Sequence, residues 1–305
     1  MSHIMKMSIE YHTLSYAATN GITLAYDSFG RFSDPVVLMI MGLSSQMIMW
    51  EDEFCASLAA RGFWVIRFDN RDVGLSTKFS REGMPHIKAL LSGKITGSLA
   101  VPYTLSDMAR DARGLLDEIG IEKAHVVGAS MGGMIGQEMA IQFPYRIRSL
   151  TSIMSSTGNP LLPPPRGDVL EMLFRPIPTD REGYVDYFLR VWKLLSGPRY
   201  PMDDATAQRL GYMTFTRGVE PAASARQFAA ILASGSRKES LASVTIPTLV
   251  IHGSDDPLVP VAGGIDTARS IPGARLMVMD GMGHSVPRQL WHEIVGAIAD
   301  HAART

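Results

Sequence analysis

A continuous apolar run that climbs into a glycine-flanked serine most restricts the fold open to this chain. It reads Val126-Val127-Gly128-Ala129-Ser130-Met131-Gly132-Gly133, and a helix-like segment follows directly. A buried strand that turns at once into a helix brings two backbones together, and glycine at the flanking positions leaves the room a Cβ would fill. The layout is that of a nucleophile elbow, a sharp strand-to-helix turn that lifts one serine hydroxyl clear of the end of a sheet. Taken alone, Gly-x-Ser-x-Gly is a pattern that chance supplies, and a serine in an ordinary glycine-rich turn is its plain alternative. Context has to decide.

Around that turn the chain alternates strands and helices. Residues 12–18 and 22–29 read as strands joined at Asn20-Gly21, a hairpin turn signal. Val36–Ile40 is a continuous apolar run, as expected of a strand buried on both faces. A helix over 50–60, a strand over 63–68 and an amphipathic helix over 104–119 follow, the last capped by Thr104 or Ser106 and stopped by Gly120. Strands at 124–127, 147–154, 247–252 and 274–279 and helices at 131–142 and about 288–303 complete the series. Such alternation predicts βαβ units and a mostly parallel sheet flanked by helices, led by an antiparallel hairpin.

Two segments break it. Residues 78–103 read as a loop-rich insertion. Residues 158–240 open on Asn159-Pro160-Leu161-Leu162-Pro163-Pro164-Pro165, a stiff polyproline-like hinge. They continue as helical pieces carrying Met172, Phe174, Tyr184, Tyr187, Phe188, Trp192, Met213, Phe215 and Phe228. The expected organisation of the 305 residues is therefore a core of 1–157 and 241–305 with a helical cap, 158–240, inserted between core strands.

A serine needs a base to become a nucleophile, and the base needs an acid to orient it. In this architecture they follow in the order serine, acid, histidine. Asp255-Asp256-Pro257 follows the strand 247–252, and Gly281-Met282-Gly283-His284-Ser285 follows the strand 274–279. Both loops leave the C-terminal ends of parallel strands, where such sheets bind ligands. Ser130, Asp256 and His284 are the expected triad. Asp255 is the alternative acid, with a turn or capping role as its ordinary reading. An oxyanion hole needs two N–H donors. Met131, directly after the serine, is one; Leu43, in the loop Met41-Gly42-Leu43-Ser44-Ser45 after the strand 36–40, is the other, and Gly42 lets the backbone approach. Met41 and Gly42 are also expected beside substrate, with further contacts from cap residues within 158–240. Met41, Met131, Met134 and Met282 either soften an apolar pocket or fill the core. His125 and His252 read as core or strand-end residues, and His3, His12, His86, His292 and His301 as terminal, loop or helix-surface residues.

Composition closes other routes. A net charge of −1 gives no reason to expect nucleic acid or an anionic membrane as partner. No stretch reaches the roughly 18 apolar residues of a membrane helix, and Met1–Met7 lacks the apolar run of a signal peptide. The lone Cys55 allows no intrachain disulfide and reads as a small core residue, which suits a cytoplasmic protein. No His-Glu-x-x-His or cysteine-rich spacing predicts a metal site. Monomer and homodimer both remain open.

Four pieces together resemble the α/β-hydrolase superfamily: Met41-Gly42-Leu43, Phe68-Asp69-Asn70-Arg71-Asp72-Val73-Gly74-Leu75-Ser76, Gly128-Ala129-Ser130-Met131-Gly132 and Gly281-Met282-Gly283-His284. Many relatives carry His-Gly in the oxyanion loop, where this chain has Met41-Gly42. Met41-Gly42 and the Asn-Arg-Asp-x-Gly-x-Ser run are similar to the aclacinomycin methylesterase group. That resemblance, which covers the chain outside 158–240 and 78–103, implies an α/β-hydrolase fold and a serine esterase that needs no cofactor, acting with water on bulky, polyketide-like esters; the length and aromatic content of 158–240 would also suit a macrolactone. Asp69 and Arg71 are expected to brace loops near the site. The same triad also serves carbon–carbon bond hydrolysis of a β-diketone-like compound or cofactor-free perhydrolysis. A third class, a non-catalytic ligand-binding member, would have no use for an activated serine.

Overall fold

The computed structural model describes residues 9–85, 87, 101–173 and 175–305. Among these, eight strands join in one sheet: β1 (Tyr11–Thr19), β2 (Ile22–Phe29), β3 (Val36–Ile40), β4 (Trp64–Phe68), β5 (Ala124–Ala129), β6 (Ile147–Ile153), β7 (Thr248–Gly253) and β8 (Arg275–Met279). Their order is β1-β2-β4-β3-β5-β6-β7-β8. β2 pairs antiparallel with β1 and β4, and every later neighbour is parallel. Asn20 (φ 46°) and Gly21 (φ 76°) turn β1 into β2, both in the left-handed region that a type I′ turn requires.

Helices α1 (Asp52–Ala59), α2 (Leu105–Glu118) and α3 (Met131–Gln142) alternate with the early strands. Five more, α4 (Gly167–Leu173), α5 (Arg181–Ser196), α6 (Asp204–Thr216), α7 (Pro221–Ser234) and α8 (Lys238–Leu241), lie between β6 and β7. α9 (Ala262–Ser270) follows β7, and α10 (Trp291–Ala302) closes the chain. Thr104, rather than Ser106, caps α2: its side chain accepts the Asp107 N–H while the Asp107 carboxylate accepts the Thr104 N–H, a reciprocal capping box. The helix expected over 50–60 starts at Asp52, after a short 3-10 turn at Met47–Met49, and the one expected over 288–303 starts at Trp291, after another at Arg288–Leu290.

β3 explains why the core has two layers. Val36, Leu38 and Ile40 enter one apolar cluster with residues of α2 and α3, and Val37 and Met39 enter the other with residues of α1 and α10. A strand alternates its side chains between faces, so a strand covered on both sides has to be apolar throughout. The helices between β6 and β7 have small apolar clusters of their own, built around Val169, Met172 and Leu195 and around Tyr184, Phe188 and Leu210. Of the insertion expected at 78–103, residues 86 and 88–100 lie outside the described residues, as do His3, His86 and Phe174. His301 departs from its expected surface position. It is buried, with Nε2 3.2 Å from Pro247 O, because the last turn of α10 packs against the segment entering β7.

Candidate active site

Ser130 ends β5 and begins α3 with φ 53° and ψ −120°, a conformation an L-residue holds at a cost of about 1–3 kcal/mol. Packing enforces it. A Cβ on Gly128 would run into the Gly132 carbonyl, and one on Gly132 into the Ile40 carbonyl. Ser130 N–H donates to Ile153 O at 2.9 Å, and Ser155 Oγ–H donates to Ser130 O at 2.8 Å, so the backbone around the hydroxyl is held from the neighbouring strand.

His284 bridges Ser130 and Asp256. Its Nε2 lies 2.9 Å from Ser130 Oγ and its Nδ1 lies 2.7 Å from Asp256 Oδ2. Asp256 is buried and its other oxygen, Oδ1, accepts the N–H groups of Leu258 (2.9 Å) and Val259 (2.8 Å). Burial pushes the Asp256 carboxyl up, but the imidazoles of His284 and His252 outweigh it and bring it down to about 2. The carboxylate therefore stays anionic beside the ring it orients. Asp255, the alternative acid, is exposed and accepts from Ser254 Oγ at 2.8 Å.

His252 contributes more than a core residue does. Fully buried at the end of β7, its Nε2 is 2.8 Å from Val259 O and 3.5 Å from Asp256 Oδ2. A carbonyl only accepts, so Nε2 carries the proton and pins the Asp256 loop. Its position four residues before Asp256 at a strand end was the available signal. His284 is itself held from the inserted helices, since its N–H donates to Leu195 O of α5 at 2.7 Å.

Among the described residues, the Leu43 and Met131 N–H groups donate no hydrogen bond. Met131 opens α3, where the helix dipole favours negative charge. Gly42 lies against the serine: a Cβ there would sit 3.0 Å from Ser130 Cβ. Three side chains hold the loop that carries Leu43. Asn70 Nδ2 donates to Met41 O (2.9 Å), Asp69 Oδ1 accepts Met47 N–H (2.8 Å), and Gln227 Oε1 accepts Ser44 N–H (2.8 Å). Arg71 pairs with Asp111 through two bonds of 2.6 and 2.7 Å.

Ser130 and His284 open onto a cavity of about 820 Å³. Met41, Gly42, Leu43 and Met154 line it from the core loops, and Met172, Tyr184, Tyr187, Phe188, Trp192 and Phe228 line it from the inserted segment. Of the four methionines read as pocket candidates, only Met41 lines it. Met131, Met134 and Met282 are buried in the two apolar clusters, because the helix and loop that carry them are covered on all sides. Among the described residues no group of three or more His, Cys, Asp or Glu side chains could hold a metal ion.

A serine on a strand-to-helix turn, served by a histidine and an acid from later strand ends, is the architecture of the α/β hydrolases. Residues 35–287 match the α/β hydrolase fold family, and the chain belongs to it. Two relatives are rhodomycin D methylesterases. DauP of Streptomyces sp. (strain C5) is 30% identical over 307 residues, and DnrP of Streptomyces peucetius is 29% identical over 300; each alignment covers 92% of this chain and 95% of the relative. Among solved structures, a hydrolase from Pseudomonas aeruginosa PA01 superposes with a TM-score of 0.71 at 26% identity, over 95% of this chain and 98% of that one.

Proposed function

We propose that this protein is a serine hydrolase that cleaves carboxylic esters through an acyl-enzyme intermediate. One observation carries the reading: His284 lies within hydrogen-bond distance of both Ser130 Oγ and Asp256 Oδ2, at an opening onto a large apolar cavity. Ser130 Oγ attacks the ester carbonyl as its proton passes to His284 Nε2, and the oxyanion forms against the N–H groups of Leu43 and Met131. Collapse breaks the carbon–oxygen bond, and the departing alcohol takes the proton from His284. Water, deprotonated by His284, then attacks the acyl-serine; the acid leaves and Ser130 regains its proton. Asp256 holds the imidazole in the useful tautomer and stabilises its cationic form. The reaction needs only ester and water, and no cofactor enters this scheme.

In this reading residues 158–240 are a cap on a core of 1–157 and 241–305. The cap supplies the aromatic lining, and Met41 and Gly42 border the scissile group. A cavity of about 820 Å³ with methionine and aromatic walls fits a bulky, polyketide-like ester or a macrolactone better than a small acetyl ester. The names of the two Streptomyces relatives, methylesterases of rhodomycin D, support the same class. A cytoplasmic setting fits a chain whose lone cysteine, Cys55, is buried with its thiol pushed up to about 12 by that burial.

The test is a panel of bulky methyl esters, macrolactones, small acetyl esters and β-diketones, assayed with wild type and Ser130→Ala. Bulky esters or lactones should turn over, and Ser130→Ala should lose about 10³-fold or more in kcat. Turnover of β-diketones alone would make it a carbon–carbon bond hydrolase. Full activity in Ser130→Ala would end the proposal.

A further inference from the structure

The loop carrying Leu43 is not stable by its own geometry. Ser45 N–H donates to Gly42 O at 3.2 Å, closing a four-residue turn, and Ser44 at its third position sits at φ 59°. A turn with positive φ at the third position alone is type II, where glycine is the usual occupant. A serine keeps that conformation against its own steric preference, so something outside the turn has to stabilise it.

The partner is a glutamine from the inserted helices. Gln227, fully buried on α7, accepts Ser44 N–H on Oε1 at 2.8 Å and donates from Nε2 to Arg71 O at 2.8 Å. One partner only donates and the other only accepts, so the amide fits in a single orientation. Arg71 is anchored by its two bonds to Asp111, which makes the far end of this bridge rigid. A second strut, Ser44 Oγ to Ser224 Oγ at 2.6 Å, comes from the same helix.

We infer that Gln227 is a positioning residue for ester hydrolysis: it holds the Gly42–Ser45 turn in the form that aims the Leu43 N–H at the oxyanion. The inference rests on the oxyanion-hole reading above. Without the glutamine, Ser44 relaxes toward negative φ and the Gly42–Ser45 turn is no longer clamped, so the Gly42–Leu43 peptide, which carries the Leu43 N–H, loses its fixed place beside Ser130. Gln227 touches no reacting atom. It acts through Ser44.

The experiment measures kcat and KM with a p-nitrophenyl ester. Gln227→Met, an unbranched replacement of similar size, should lower kcat about 10- to 100-fold, less than the roughly 10²- to 10³-fold of an outright lost oxyanion donor because the Leu43 N–H is displaced rather than removed, with KM within about threefold. Adding Ser44→Gly should recover most of that loss, because glycine takes positive φ without strain. A kcat within about twofold of wild type for Gln227→Met, or a loss that Ser44→Gly leaves in place, overturns the inference. Should Gln227→Met not fold, Gln227→Asn carries the same test. It draws the amide back by one methylene and should cost about fivefold or more in kcat, again relieved by Ser44→Gly. Ser130→Ala separates the two claims. If it stays active, the ester-hydrolysis reading itself fails; if it is inactive while the Gln227 variants keep wild-type kcat, only the positioning role fails.

Discussion

The sheet and the helices inserted between β6 and β7 are held in place by different forces. The sheet sits between two extensive apolar clusters, and its strands carry the serine, the acid and the histidine at their C-terminal ends. Apart from Ala230 of α7 and Leu241 of α8, which join the core cluster on one side of the sheet, the inserted helices pack in small apolar clusters, and much of their grip on the core is polar and desolvated. Arg226 pairs with Asp72 through bonds of 2.8 and 2.9 Å and with Glu220 at 2.7 Å, with both Arg226 and Asp72 buried. Arg217 donates to Asp69 at 2.6 Å and to Gln46 at 2.9 Å, and Gln46 donates in turn to Thr214 O and Gly218 O. Apolar contact is non-directional and tolerates small shifts, whereas a desolvated ion pair fixes register. The inserted helices are therefore located by specific bonds, and those bonds end on the loops that frame Ser130.

Three measurements strain this comparison, beginning with the largest effect. His284→Ala should lower kcat about 10³-fold or more while the far-ultraviolet circular dichroism stays close to wild type. The sheet, not the histidine, holds the core, and a collapse of the fold in this variant would contradict that. Next, Arg226→Met leaves two carboxylates without their cation and should cost about 3–5 kcal/mol in urea unfolding. Arg67→Met does similar damage inside the sheet, where Arg67 pairs with Asp27 at 2.7 and 2.8 Å. Only the Arg226 variant should also raise KM, by about three- to tenfold, since only it loosens the helices lining the cavity. Equal KM values for the two would erase the distinction.

The smallest effect is on acid stability. Asp256 stands at about 2 in the folded chain against an ordinary 3.8, burial opposing and the two imidazoles overcoming it. A carboxyl depressed on folding adds stability that is complete above its unfolded value and lost as pH falls through its folded value. Asp256→Asn should therefore lose less stability than wild type between about pH 4 and about pH 2, measured as urea midpoints. An equal loss would mean the Asp256 carboxylate is not held by its histidines.

Much of the sheet was legible because its signals are local. Val36–Ile40 coincides with β3, and residues 131–142 with α3, since an apolar run and a glycine-bounded turn state their conformation within a few residues. Ser130, Asp256 and His284 could each be singled out by where they leave a strand. The methionines could not be sorted the same way: Met131 and Met41 both neighbour the site in sequence, yet only Met41 reaches the cavity. His252 reads as a core or strand-end residue because a histidine ending an apolar strand looks like core until its ring is found beside Asp256.

By itself the sequence determined the order of strands and helices, the elbow at Ser130 and the loops that carry its partners, because strand burial, capping and tight turns depend on near neighbours. Tertiary structure alone decided what holds the Gly42–Ser45 turn and what lines the cavity. Gln227 lies 183 residues from Ser44, and Arg226 lies 154 from Asp72. Polar pairs across such distances leave no periodicity in the chain, and their partners are chosen only when folding removes the water between them.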